Sequence, residues 1–308
     1  VLLSDMDAYA QPLLSALERR GVPAFLDRRD RLRDHACSRF LLSSLRAASG
    51  GPISDALAAV KSGFLSISAD EAELFENYIL RCGIKPGQLF KSFSRGEVPE
   101  GAENARAALI AALAPLKAGL AGATVSQKAR ATYAFLAAAR VDETLKNDVD
   151  ALRQGGDIRA METSAQVWNA LMTLLSQLDA VMGDARMDRE QFVSIVEEGM
   201  AGGEIGAVPA VSDSVLVGDC DRTRTRPVLH LFVLGCNEGL LPREFPDDAL
   251  LDDAELMLLS EGGLPVWKGT SFDAAVDRLN LYGAFSRAHN SVTVSFSRTQ
   301  NGEELAAS

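Results

Sequence analysis

Three arginines alternate with threonines in Asp221-Arg222-Thr223-Arg224-Thr225-Arg226-Pro227. In an extended chain every second side chain points the same way, at intervals of about 6.6 Å. Arg222, Arg224 and Arg226 would then form a row of fixed positive charge that can follow successive phosphates of a single nucleic-acid strand. The same row reads equally well as a surface strip paired with Asp219 and Asp221, which stabilises little. A second group, Asp247, Asp248, Asp252, Asp253 and Glu255, has the residue types of a two-metal nuclease site. Metal sites draw ligands from several elements, however, and acids packed into one short stretch before a helical pattern are better explained as caps and dipole partners. No metal ligand is assigned.

The chemistry is bounded further by what is missing. The sequence has neither a G-x-x-x-x-G-K-[ST] loop nor a G-x-G-x-x-G after a strand. Without a loop that cradles phosphates, the chain is not expected to hydrolyse ATP alone, and no nucleophile–base pair marks a catalytic residue. Cys37, Cys82, Cys220 and Cys236 are far apart and form no C-x-x-C pair, so reduced, mostly buried thiols are expected. His35, His230 and His289 share no metal-like spacing, and His230, inside an apolar strand, reads as a hydrogen-bonded histidine.

The elements that must position these residues fall into three blocks. In residues 1–48, VLLSD and VPAFL read as short strands, each followed by a helical pattern, one over Asp7–Arg20 stopped by Gly21 and one over Cys37–Ala48. This β-α-β-α order implies a parallel sheet. In residues 49–211 β-branched runs disappear and helix signals follow one another, with capping boxes at Ser68/Glu71 and Asp188/Gln191 and long helical patterns over Ser126–Arg153 and Glu162–Met182. After Pro209 the strands DSVLVGD, VLHLFVLG and SVTVSFS return, with helices over Asp252–Ser260 and Ser271–Arg287 between the last two. The expected fold is one α/β domain, 1–48 with 212–308, interrupted by an all-helical domain, 49–211.

Net charge is −11, which argues against a free-standing binder that depends on phosphate neutralisation. Lys+Arg against Asp+Glu is 8 to 6 in residues 1–48, 15 to 21 in 49–211 and 8 to 15 in 212–308. Any contact with DNA must therefore be local. No apolar run approaches the ~18 residues of a membrane helix and no signal peptide opens the chain, so a soluble, cytoplasmic protein without membrane partners is expected. The opening VLLSD resembles a strand entered midway and NGEELAAS ends without a closing element; the chain reads as an internal fragment of a larger polypeptide.

Several motifs resemble one family. VLLSDMDAYAQPLLSALERRGVPAFLDRRDRL is similar to the entry into the second RecA-like domain of UvrD-like superfamily 1 helicases, and Tyr9 with Val22-Pro23-Ala24-Phe25 is closer to the B subunits of AddAB (RexAB) helicase-nucleases. The passage DRTRTRP…LFVLGCNEGLLP also resembles those B subunits, with Gly235 and Gly239 suited to positive φ or close backbone approach. DRLNLYGAFSRAHNSVTVSF resembles helicase motif VI, with Arg287 at the position of the arginine that faces the nucleotide and Arg278 and Tyr282 at upstream positions. Apart from the resemblance, Arg287 reads as a cation at a helix C-terminus.

The resemblance implies a RecA-like α/β domain with a helical insertion. It also implies a parent that processes DNA ends, single- and double-stranded, in a heterodimer with a motor-nuclease A subunit. ATP and an iron–sulfur cluster are implied for that parent, the cluster in regions outside this chain. Two departures speak against a working motor. Thr223-Arg224-Thr225-Arg226-Pro227 stands where active motors have Ala-Lys-Gly-Leu-Glu, and Ser4-Asp5 stand where they have an arginine. The chain is therefore expected to guide DNA. The alternatives are half of an active UvrD-like helicase and an acidic module that docks a partner subunit.

Overall fold

A computed structural model of the chain describes residues 1–155, 158–206, 213–221, 227–246, 250–266, 269–300 and 302–308. In chain order the elements are β1 (Leu2–Leu3), α1 (Met6–Glu18), β2 (Ala24–Leu26), β3 (Arg29–Arg31), α2 (Ala36–Ser49), α3 (Ile53–Val60), α4 (Ala69–Cys82), α5 (Glu100–Leu120), α6 (Val125–Ala138), α7 (Val141–Gly155), α8 (Ile158–Met182) and α9 (Arg189–Gly202). There follow β4 (Glu204–Gly206), β5 (Val215–Val217), β6 (Val228–Leu234), α10 (Asp253–Glu261), α11 (Thr270–Ser286), β7 (Ala288–Val294), β8 (Thr299–Gln300) and β9 (Glu303–Glu304). They form two compact units, an α/β unit of Val1–Arg28 with Pro209–Ser308 and a helical unit of Arg29–Val208.

In the α/β unit, strands from the two ends of the chain share one parallel sheet. β1 pairs with β6, Leu2 opposite Val233, and β6 with β7, Leu231 opposite Val292. β2 pairs with β5, Phe25 opposite Leu216. The Leu3 amide donates to the Gly218 carbonyl at 2.9 Å and the Gly218 amide to the Val1 carbonyl at 3.0 Å, joining the two strips. The order is thus β2-β5-β1-β6-β7, every neighbour parallel. Consecutive strand residues face opposite sides, so Leu3 packs with Leu26, Val217 and α1, while Leu2 packs with Leu231, Val233 and Leu281 of α11. The mixed α/β class expected from sequence is what the chain adopts.

The helical unit is entered and left through a two-stranded ribbon. β3 and β4 pair antiparallel, Asp30 opposite Ile205, and the Leu32 amide continues the pairing to the Gly203 carbonyl at 2.9 Å. At its centre lies α2, whose Phe40 stacks on Phe64 and Phe135 with centroids 5.2 and 5.5 Å apart. The sequence pattern assigns this helix to the α/β part; the structure places it in the helical core, and the compact units divide after Arg28 rather than after Ala48. Helical periodicity reveals that a face is buried, not which element buries it. The capping boxes at Ser68/Glu71 and Asp188/Gln191 form as expected. The long pattern over 126–153 instead splits into α6 and α7 at Arg140, whose φ is 51°.

Candidate nucleotide and nucleic-acid contacts

Arg222, Arg224 and Arg226 lie outside the described residues; the residues on either side are described. Asp221, which the surface-strip reading gives to the arginine row, accepts from Arg243 Nη2 at 2.9 Å and from Asn280 Nδ2 of α11 at 2.8 Å. The buried Asp277 carboxylate accepts the Arg243 backbone amide at 3.1 Å. Burial alone would lower the Arg243 pKa, but Asp221, Asp277 and Asp219 outweigh it and hold the guanidinium above its ordinary value. Arg243 is a residue that sequence reasoning missed, because its partners are distant in the chain. On the far side, the Val228 amide donates to the Arg287 carbonyl at 3.1 Å.

Arg287 caps the C-terminus of α11, as its position predicts. Its Nε and Nη1 are buried and make no hydrogen bond among the described residues. Burial lowers its pKa, opposed only by the neighbouring Cys220. That thiol gives no countercharge, since burial, with Asp219 and Asp221 nearby, pushes its own pKa up to about 12. Buried guanidinium N–H groups without acceptors cost free energy. A bound anion would satisfy them. Arg278 and Tyr282, earlier on α11, are both exposed.

The carboxyl edge of the sheet is closed by its own chain. Gly235 and Gly239 have φ of 79° and 78°, and a Cβ on Gly235 would collide with Ser4 Oγ and come within 2.7 Å of the Tyr9 ring. Between them Asn237, 1% exposed, donates from Nδ2 to the carbonyls of Ser297 (2.7 Å) and Ala306 (2.9 Å) and accepts from the Ser297 amide at Oδ1. Tyr9 Oη meets Ser297 Oγ at 2.8 Å. Asp5 accepts from the amides of Asp7 and Ala8 and caps α1.

The acidic group is resolved in favour of capping where it is described. Asp252 forms a capping box with Glu255 at the start of α10. Asp253 accepts from the Thr270 and Ser271 amides at the start of α11, and these bonds hold its pKa below the usual carboxylate range. Asp247 and Asp248 lie outside the described residues. All four cysteines are free, and Cys37, Cys220 and Cys236 are buried. His230 Nδ1 meets Ser291 Oγ at 2.8 Å, the hydrogen-bonded role expected.

No family model matches the chain. It is 26% identical over 315 residues to the B subunit of the ATP-dependent helicase/deoxyribonuclease of Acetivibrio thermocellus, covering 96% of the chain and 28% of that protein. The B subunit of the same name from Alkaliphilus metalliredigens is 25% identical over 98% of the chain, and that from Desulfitobacterium hafniense 26% identical over the whole chain, 27% of its own length. The chain is similar throughout to these B subunits.

It spans about 28% of the length of the B-subunit relatives. The match runs through both compact units, so the α/β strands and the helical block form one stretch of the relatives rather than two separate resemblances. No helix among the described residues is long and apolar enough to cross a membrane.

Proposed function

We propose that this chain is the DNA-handling, helicase-like part of a B-type subunit that processes double-strand DNA ends in the cytoplasm with a helicase-nuclease A subunit. The α/β unit corresponds to the second RecA-like domain and the helical unit to its insertion. Similarity to the named B subunits along nearly all of the chain carries this reading. The parallel sheet built from both ends of the chain supports it, since such a closure leaves the helical block as one inserted segment.

In this reading Arg222, Arg224 and Arg226 contact phosphates of the guided strand, and Arg287 faces a nucleotide phosphate. A guanidinium suits that task through its fixed charge and forked donors. ATP belongs to the parent protein, where Arg287 would hold a phosphate oxygen; the loop that cradles phosphates would come from elsewhere. In this reading the iron–sulfur cluster of the parent likewise belongs to other regions.

Replacing the three loop arginines by glutamine in the intact complex tests the DNA contact. Single-strand affinity is expected to fall, and the slope of log K against log salt to shrink by about 2, at roughly 0.7 per phosphate contact. An unchanged slope rules the contact out. The unpartnered guanidinium of Arg287 favours one other reading, a working motor. ATPase activity with the partner's Walker lysine disabled separates the two, and the guiding role predicts none above background.

A further inference from the structure

Among the described residues β7 is the last strand on its side of the α/β sheet: β6 pairs with one flank and no strand pairs with the other. In a parallel ladder, alternate residues direct both backbone groups to the same neighbour. Ser295, just past the end of β7, donates its amide to the Val233 carbonyl at 2.9 Å and accepts from the Cys236 amide at 2.9 Å. Counting back by twos, Thr293 also turns its N–H and C=O towards β6. Those of Val292 and Val294 therefore point away from the sheet.

The same edge is apolar and unguarded. Val292 and Val294 lie opposite Leu231 and Val233, which are buried with Leu281 of α11, yet they are 44% and 54% exposed. Every residue from His289 to Val294 is exposed. A bare edge is a template for any extended chain, and natural sheets protect it with lysine, proline, inward charges, bulges or very short strands. β7 is seven residues long and contains no Lys, Arg, Asp, Glu or Pro. The irregularity in its pairing, between Val228 and His230 of β6, lies at the other end from Val292 and Val294.

Backbone geometry selects the kind of occupant. Outward N–H and C=O groups at alternate positions are met in full by another extended backbone, whose every second side chain then lies beside Val292 and Val294. Chain length and the missing guards select its source. The matched stretch is about 28% of the B-subunit relatives, so most of each relative lies outside it. A segment tethered to the same chain covers the edge at high effective concentration from the moment of folding. An edge that waited for a separate subunit or a second copy would be open to pairing with other chains in the interval, which is what guards prevent.

We propose that the outer edge of β7 is completed by a strand from another stretch of the same, longer polypeptide, with apolar residues at alternate positions. The inference rests on the reading of the chain as part of a B-type subunit. Its test uses the full-length subunit without the A subunit. In amide hydrogen exchange resolved to single residues, Val292 and Val294 should exchange as slowly as Thr293 and Ser295, within about tenfold, at every protein concentration. Val294→Pro deletes an outward N–H and spares the bonds to β6, so it should lower the melting midpoint by several degrees more than Val294→Ala. A photo-crosslinker, Val294→p-benzoylphenylalanine, should map to the same polypeptide. Fast exchange at Val292 and Val294, or a proline variant as stable as the alanine one, overturns the cover. Protection that appears only when the A subunit is added, or that fades on dilution, assigns the edge to a partner or to a second copy and overturns the proposal equally. Failure of the wild-type subunit to associate with an A subunit counts against the heterodimer alone, because exchange is read without it.

Discussion

The helical and α/β units differ most in how much apolar surface each leaves exposed. Among the described residues, the helical unit leaves four large apolar side chains exposed and the α/β unit fifteen, although it is the smaller of the two. Several arginines of the helical unit are paired, although its Asp55 Oδ2 and the hydroxyls of Ser38, Ser44 and Ser49 are buried without a hydrogen-bond partner among the described residues. Glu197 of α9 holds both Arg33 and Arg46, and the buried Arg106 reaches Glu103, the Leu89 carbonyl and the Phe93 ring. Even the buried Lys128, whose pKa burial lowers, donates to the Gly122 carbonyl. The α/β unit leaves Nε and Nη1 of Arg287 without an acceptor among the described residues, and it carries most of the exposed large apolar side chains. The units therefore differ in apolar exposure, and in a buried unpartnered cation against a buried unpartnered carboxyl oxygen, rather than in whether every buried group is satisfied.

The largest expected effect is in the helical unit. Phe40→Ala removes the ring between Phe64 and Phe135 and should destabilise the helical unit by about 3–5 kcal/mol. Urea unfolding followed through Trp168, which packs at the edge of that core, measures it, and a loss below about 1 kcal/mol would mean α2 is not the hub. In the α/β unit, Gly235→Ala should cost about 3 kcal/mol, from a left-handed backbone and a collision with Ser4. Unfolding of that unit ahead of the helical one is the expected result.

The comparison is sharpest at Arg287. Arg287→Met removes an unpaired, partly buried charge and should raise stability by about 1 kcal/mol, whereas truncating Arg106 should lower it. Pyrophosphate should raise the melting midpoint of the wild type and not that of Arg287→Met. A destabilised methionine variant would show that the guanidinium is already satisfied.

The smallest effect concerns pH. His35 Nδ1 accepts the Cys37 amide at the start of α2, and Nε2 meets Ser164 Oγ. Burial lowers its pKa, with Asp148 and Asp30 opposing and Arg39 assisting. The folded pKa thus lies below the unfolded one, so the unfolded chain gains its proton first. This contribution is complete above about pH 6.5 and is lost as pH falls through the folded value. Denaturation midpoints at pH 7.5 and 5.5 should differ less in His35→Asn, which keeps a cap and removes the titration.

The strands, the capping boxes and the two glycines after β6 were legible because each is written in local residue order. Alternating or continuous apolar runs give the strands, and Ser68/Glu71 spells its own cap. The place of α2 was not legible, since its apolar spacing fits either unit. Nor was the break at Arg140, where no glycine or proline signals the left-handed residue. At the candidate site, Arg287 was found through its flanking pattern, but its unpaired nitrogens are visible only in three dimensions. Arg243 and Asn237 escaped notice for the same reason: Arg243 reaches Asp221 and Asp277, and Asn237 reaches Ser297 and Ala306, across long stretches of chain.

The β3–β4 ribbon has a consequence for how such a chain can change over evolutionary time. Because β3 and β4 are zipped side by side, the helices between them form a segment whose two ends are held at a fixed spacing. Residues can be added to it, removed or exchanged without altering the spacing of the two cut ends, so the sheet need not re-register when its cargo of helices is rebuilt.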